Sequence, residues 1–275
     1  MHETGSAMGG HPRQATTPGT SSARLYDAFA GGKDNYASDE EIAGRILKLW
    51  PEVRQGTQAN RGFIHRSARW LAAEAGISQF LDIGTGIPSP ASPHLHTTVQ
   101  DIDPAARVLY TDNDPVVLAH AAALLTGTPQ GRTSYLDADA TDPDSILGSR
   151  ELADTLDLDR PVAVYLCALL HLVGDDQDPK GIVRRLADAV VPGSYVVISH
   201  ATTDYAPELM ARFQEIYNQG RAQCAIRSGE EILDMVEGLE LVDPGMVPIH
   251  RWRPETDDLM DDSKINGYAL VARKP

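Results

Sequence analysis

The sequence predicts an α/β fold, a doubly wound and mostly parallel sheet with an antiparallel last strand. Three observations carry it. Residues 79–83 form a short apolar run that ends on an aspartate and two glycines, Asp82-x-Gly84-x-Gly86, as a buried parallel strand does where it leaves the sheet for a turn. Strand-like and helix-like patterns then alternate, which is how helices cross over between parallel strands. Toward residue 275 two or three strand patterns arrive with little helix between them, which brings in the antiparallel final strand.

A chain of 275 residues with 42% apolar side chains is long enough to bury a full core. One large α/β domain with an added segment is therefore expected. Its 39 acidic residues outnumber 24 basic ones, for a formal charge of −15. That sign argues against a nucleic-acid partner and favours a small neutral or cationic one, or serves solubility alone. The two cysteines, Cys167 and Cys224, are too few for a disulfide framework or a cysteine-rich zinc site. Cys167 lies in the apolar run 162–173, which is interrupted by His171 and too short to span a bilayer. With no basic-then-apolar leader at the start, the expectation is a soluble cytoplasmic protein without a membrane partner. No metal-ligand spacing stands out, so no metal is expected.

Residues 1–20 are rich in Gly, Thr, Ser and Pro without periodicity and are expected to be a disordered tail. Residues 21–76 read as helical. A first short helix breaks at Gly31 and Gly32, and a second starts near Ser38, an N-cap residue followed by Glu40 and Glu41. The glycine pair, flanked by Tyr26, Lys33, Asn35 and Tyr36, reads as a bent polar connector. Phe63, Ile64, Ala68, Leu71 and Ala75 recur at helical spacing over 57–75, and Gly76 stops that helix. On a neighbouring face Arg61, His65 and Arg69 fall four residues apart. That basic row would either meet an anionic group such as a carboxylate or stay solvated.

After the glycine turn, Pro88, Pro90 and Pro93 keep the chain extended before a helix at 94–101. Further strands are expected at 107–111, 134–136, 162–167 and 194–199. The run at 162–167 is almost wholly apolar and so central. Helices are expected at 115–125, 179–190, 206–218 and 228–236, and strands at 239–242, 246–249 and 268–272.

Acidic residues mark the ends of three successive strands: Asp82, Asp112 and, just past the third, Asp139. A carboxylate beside the second strand can accept hydrogen bonds from both hydroxyls of a ribose. Asp139 is placed to accept from an exocyclic amine, which would select adenine. Glycine at 84 and 86 bares the backbone to a ligand at the carboxyl end of the strand, where open α/β sheets bind. An ordinary strand-to-loop exit is the plain alternative for the turn alone. A dinucleotide fingerprint is incomplete here: the third glycine is missing, and Pro88 with Pro90 obstructs a helix N-terminus pressed on a pyrophosphate. The P-loop lysine motif is absent. An adenosine cofactor without phosphates, S-adenosylmethionine, fits better.

The stretches SARLYDAFAGGKDNYASD, NRGFIHRSARWLAAEAGISQFLDIGTGIPS, RVLYTDNDPVVLAHAAALL, DADATDP, RPVAVYLCALLHLVGDDQDP and GSYVVISHATTD make residues 21–204 resemble a known family. It is a family of S-adenosylmethionine-dependent methyltransferase-like proteins, mostly of unassigned substrate, with an N-terminal SARxYDxxxGGKDN segment. The resemblance implies a class I methyltransferase-like fold, an N-terminal helical lid over 21–76 and an S-adenosylmethionine-binding α/β domain over 77–275. By it, Asp82, Gly84 and Gly86 line the methionine part, Asp112 with Asn113 the ribose, and Asp139 with Ala140 the adenine. Cys167, Ala168 and the residues up to His171 adjoin the sulfonium, and Tyr26, Gly31, Gly32, Lys33, Asn35 and Tyr36 belong to the lid. The sequence departs from the family pattern after IGTGIP, where Ser89, Ser92 and Pro93 precede His94 in place of a threonine and an asparagine.

The expected activity is methyl transfer to an unidentified small-molecule acceptor. A cofactor-binding regulatory protein without turnover and a nicotinamide-dependent enzyme are the alternatives. A sulfonium methyl is already activated, so a general base matters only for an acceptor that carries a proton. His171, His200, Tyr36 and Tyr26 are candidates for the acceptor side, each equally readable as structural. An exposed N-terminal segment could pack on a neighbouring copy, which leaves a homo-oligomer open.

Overall fold

The computed structural model describes residues 19–88, 93–124, 127–220, 222–255 and 260–275. The expected tail before residue 19, and the expectations placed on Ser89, Pro90 and Ser92, lie outside the described residues. Strands β1 (Gln79–Ile83), β2 (Arg107–Asp112), β3 (Arg132–Asp137), β4 (Ala163–Cys167) and β5 (Tyr195–Ala201) are joined by β6 (Glu240–Leu241), β7 (Val247–Pro248) and β8 (Gly267–Arg273). The sheet runs β3-β2-β1-β4-β5-β8-β6, with β7 also paired to β8. Every pairing among β1 to β5 is parallel. β8 lies antiparallel to β5 from Tyr195↔Arg273 to Ala201↔Gly267. This is the mostly parallel sheet with an antiparallel last strand that the patterning predicts.

Helices α1 (Ser22–Phe29), α2 (Ala37–Leu49), α3 (Val53–Ala73), α4 (Leu95–Gln100), α5 (Pro115–Leu124), α6 (Pro143–Leu147) and α7 (Arg150–Thr155) precede β4 or lie between the first four strands. Then come α8 (Pro179–Ala189), α9 (Pro207–Gln219), α10 (Gly229–Asp234) and α11 (Asp262–Ile265). Side chains alternate across the sheet with the period of two that a strand imposes. Leu81, Val164, Leu166 and Ile198 face a core with Ile182, Val183 and Leu186 of α8. Phe80, Tyr110, Tyr165 and Val197 face the opposite one, with Phe63, Ala68 and Leu71 of α3. All five residues of β4 are buried, as a strand covered on both faces must be. A third cluster joins Leu25 and Phe29 of α1, Ile42 and Ile46 of α2, Trp50, and Met210, Phe213 and Tyr217 of α9.

Three details differ from the sequence expectation. β3 is six residues long because all six pair with β2, from Arg107↔Arg132 to Asp112↔Asp137; a backbone ladder needs no side-chain pattern. The N-cap of α2 is Tyr36, not Ser38, because the Asp39 carboxylate takes the Tyr36 N–H at 2.9 Å. α6, α7 and α11 were not expected: they are too short for a period to show, and only the caps Asp142, Ser149 and Asp261 mark them. No helix of the described residues is long and apolar enough to cross a membrane.

Candidate functional site

The carboxyl ends of β1, β2, β4 and β5 open into a cleft of about 910 Å³. Beyond β1 the chain turns through Gly84 at φ 72° and Gly86 at φ 68°, backbone angles that favour glycine. The turn is tied to β2, since Gly84 and Thr85 both donate their N–H to the Thr111 carbonyl, at 2.9 and 3.1 Å. The two glycines serve differently. A Cβ at Gly84 would stand 2.6 Å from Leu169, whereas one at Gly86 would meet nothing within 4 Å. Gly84 allows close packing and Gly86 bares backbone to open space.

Asp112, at the tip of β2, accepts from Gly86 N–H and from Asp114 N–H, both at 2.9 Å. Burial nevertheless raises its pKa above the usual carboxylate range. Asp82 is raised further, to about 7, first by burial and then by the charge of Asp112. Asp139 differs: against the upward push of burial, bonds from the Thr141 N–H (2.8 Å), the Thr141 hydroxyl (2.7 Å) and Asn113 Nδ2 (2.9 Å) hold it below the usual value.

At the ends of β4 and β5 the polar groups satisfy one another. Ala168, at φ 51°, donates its N–H to the Ser199 hydroxyl at 2.9 Å. That hydroxyl donates to Asn60 Oδ1 of α3 at 2.5 Å, and Asn60 Nδ2 donates to the Tyr26 hydroxyl of α1 at 3.0 Å. His171 and His200 cross edge to face with centroids 5.3 Å apart. His200 has its Nδ1 2.6 Å from the Ala201 carbonyl and its Nε2 3.3 Å from Arg227 Nη1. Arg227 also donates to the carbonyls of Leu170 and Val173, each at 2.9 Å, and to Asp175 at 2.6 Å. Burial and the Arg227 charge push His171 down to about 4; burial and the neighbouring His171 push His200 well down too. Burial drives the Cys167 thiol up, with Asp82 adding to it.

Of the residues singled out from sequence, Asp82, Gly84, Gly86, Asp112, Asn113, Asp139, Ala140, Cys167, Ala168, His171, His200 and Tyr26 share the cleft wall. Gly32, Lys33, Asn35 and Tyr36 are not among its lining residues. Gly32 instead packs on the Asp27 carboxylate, where an added Cβ would lie 2.0 Å from an oxygen. Asn35 donates to the Gly32 carbonyl at 3.3 Å, and the Tyr36 ring lies under the Arg24 guanidinium at 4.8 Å. Sequence reading passed over Arg24, Asn60 and Arg227. Asn60 had a signal: with Thr57 and Ser67 it is a polar residue on the buried face of α3. Among the described residues no group of three or more His, Cys, Asp or Glu is arranged to hold a metal ion.

The family model described as S-adenosyl methyltransferase matches residues 9–275. A DUF574 family protein of Streptomyces avermitilis MA-4680 shares 45% identity over 94% of this chain and 98% of its own, with a TM-score of 0.90. A proposed methyltransferase of Thermobifida fusca YX shares 36% over 92% and 94%, with a TM-score of 0.85. An O-methyltransferase family protein of Burkholderia thailandensis, at 15% identity over 91% of this chain and 63% of its own, shares the fold with a TM-score of 0.53. No match was found among curated proteins.

Proposed function

This chain belongs to the S-adenosyl methyltransferase family, and on that premise we propose that it methylates a small-molecule acceptor. The observation that carries the reading is the convergence of Asp82, Asp112 and Asp139, from adjacent strand ends, on one cleft of about 910 Å³. Its donors and acceptors suit S-adenosylmethionine. After its two backbone bonds each Asp112 oxygen keeps a lone pair, which is what the two ribose hydroxyls need. Asp139 and Ala140 would take the adenine. Gly84, packed against Leu169, and Gly86, whose backbone faces open space, would line the methionine chain, with Asp82 toward its ammonium. The net charge of −15 favours an acceptor that is not a nucleic acid.

The cofactor supplies a methyl group already activated on a sulfonium sulfur. What remains for the chain is alignment and the exclusion of water. Leu169 and Leu172 give the β4 side of the cleft an apolar wall. The bonded row Ser199, Asn60 and Tyr26 fixes α1 and α3 over the strand ends. In this reading α1, α2 and the start of α3 act as the cover, while the rest of α3 packs on the sheet. His171 stays neutral above pH 5, and with its Nδ1 accepting from Ala201 N–H at 3.4 Å its proton rests on Nε2, a donor for a polar acceptor. His200, engaged at both ring nitrogens, supports His171.

Calorimetric titration with S-adenosylhomocysteine, followed by incubation with methyl-labelled S-adenosylmethionine and a panel of small molecules, tests the proposal. Binding with label transfer is the expected result. Binding without transfer to any acceptor would turn the reading toward a regulatory protein, and absence of binding would remove it.

A further inference from the structure

Two arginines, Arg24 and Arg61, stand on the cleft wall, and their situations are opposite. Arg24 is buried between carboxylates, 2.7 Å from Asp39 and 3.0 Å from Asp114, so its charge is neutralised within the protein. Arg61, partly buried on α3, makes no ion pair among the described residues. Its guanidinium lies 5.8 Å from the centre of the Tyr26 ring. With burial as the larger cause, its charge helps lower the pKa of both His65 and His94, which line the same cleft. A cation flanked by imidazoles that it helps to keep neutral, with no carboxylate paired to it among the described residues, is a positive spot.

Its surroundings locate that spot. The Tyr26 hydroxyl is bonded to Asn60, the residue before Arg61, and Asn60 is bonded to Ser199 in β5. Tyr26 is also close enough to Cys167, the last residue of β4, for the thiol to perturb it. His94 caps α4, on the chain that leaves the glycine turn. Arg61 therefore stands between the tips of β4 and β5 and the stretch that follows Gly86.

We propose that Arg61 binds the α-carboxylate of the amino-acid end of the cofactor. The inference rests on the S-adenosylmethionine reading above. An amino-acid end brings a carboxylate and an ammonium into a cleft whose wall already carries Asp82, Asp112, Asp114 and Asp139. Asp82 complements the ammonium; the carboxylate, beside so many like charges, needs a cation not already committed. Arg24 is paired with two carboxylates, whereas Arg61, hydrogen-bonded to the neutral Tyr26 hydroxyl, has no carboxylate paired to it among the described residues. A guanidinium also offers a planar pair of N–H donors that matches a carboxylate with two parallel bonds.

The test compares S-adenosylhomocysteine with 5′-methylthioadenosine, which keeps the adenosine and the sulfur but lacks the carboxylate and the ammonium. Titration calorimetry of wild type and Arg61→Ala should show S-adenosylhomocysteine weakened about ten- to a hundred-fold, with 5′-methylthioadenosine unchanged. Arg61→Lys should recover part of the loss. Equal affinity of both proteins for S-adenosylhomocysteine would overturn the inference and leave Arg61 to an anionic group of the acceptor. An equal loss of both ligands would overturn it as well, since the nucleoside half owes nothing to this charge. Wild-type protein that binds neither ligand would remove the cofactor reading and this inference with it.

Discussion

At the ends of β1 and β2 the cleft is walled by carboxylates whose charge the fold disfavours, whereas at the ends of β4 and β5 it is walled by histidines whose neutrality the fold secures. Asp82 is pushed up to about 7 by burial and by Asp112, while His171 is pushed down to about 4 by burial and by Arg227. In the first half the donors do not offset burial: Asp112 stays raised despite the Gly86 and Asp114 N–H bonds, and Asp82 despite Thr85. The second has its hydrogen bonds closed from within, by Arg227, Ala201 and Ser199, save at Nε2 of His171. A half that costs stability until a ligand supplies donors reads as a binding surface, and a half that is already satisfied reads as a scaffold.

Asp82→Asn gives the largest expected effect. The carboxyl has a folded pKa of about 7 against an ordinary value of 3.8. A raised pKa favours folding below the unfolded value, and that contribution is lost as pH rises through the folded one. The neutral amide loses nothing. Without ligand, the variant should therefore be more stable than wild type at pH 8, by at most about 4 kcal/mol, with the gain gone near pH 4. Urea unfolding at both pH values measures it; an equal difference at the two would break the contrast on the carboxylate side.

Arg227→Met should act in the opposite direction. It strands the carbonyls of Leu170 and Val173 and one nitrogen of His200. The loss should be about 3 kcal/mol, similar at pH 6 and pH 8, by the same unfolding measurement. A neutral result would mean that the histidine half is not held from inside.

Both halves were unequally legible in the sequence. The aspartates could be placed because a strand end is a local feature: an apolar run stops and an acid follows, as at Asp82 and Asp112. The bonds that hold the other half join residues far apart in the chain, Ser199 to Asn60 across 139 positions and Arg227 to Leu170 across 57, and no local pattern announces such pairs. The segment around Gly32 and Lys33 shows the converse. Its letters are distinctive, yet it bonds mainly to Asp27 and within the loop, with Asp34 reaching His120 of α5 at 3.5 Å, and nothing in the letters says which surface a loop will cover. For the sheet, the central position of β4 followed from its apolar run, whereas the length of β3 came from its ladder with β2.

Asp112→Ala should weaken S-adenosylhomocysteine by about 1.5 to 3 kcal/mol, roughly ten- to a hundred-fold, while leaving stability near that of wild type. Calorimetry with unchanged affinity would remove the ribose role and with it the strongest reason to call this half the cofactor side.

The smallest expected effect sharpens the comparison most, because it asks which half governs pH dependence. Wild-type affinity for S-adenosylhomocysteine should fall as pH drops through about 7, since Asp82 then gains a proton and no longer presents a charge to the ligand's ammonium. His171, with its pKa near 4, keeps one protonation state from pH 5 to 8 and cannot contribute to that slope. His171→Gln should accordingly shift the affinity by less than about twofold and leave the slope intact, whereas Asp82→Asn should flatten it. Titrations at pH 5.5, 7 and 8.5 separate the two. A slope abolished by the His171 substitution and kept by the Asp82 one would exchange the roles of the two walls, and the carboxylate strain would then need another explanation.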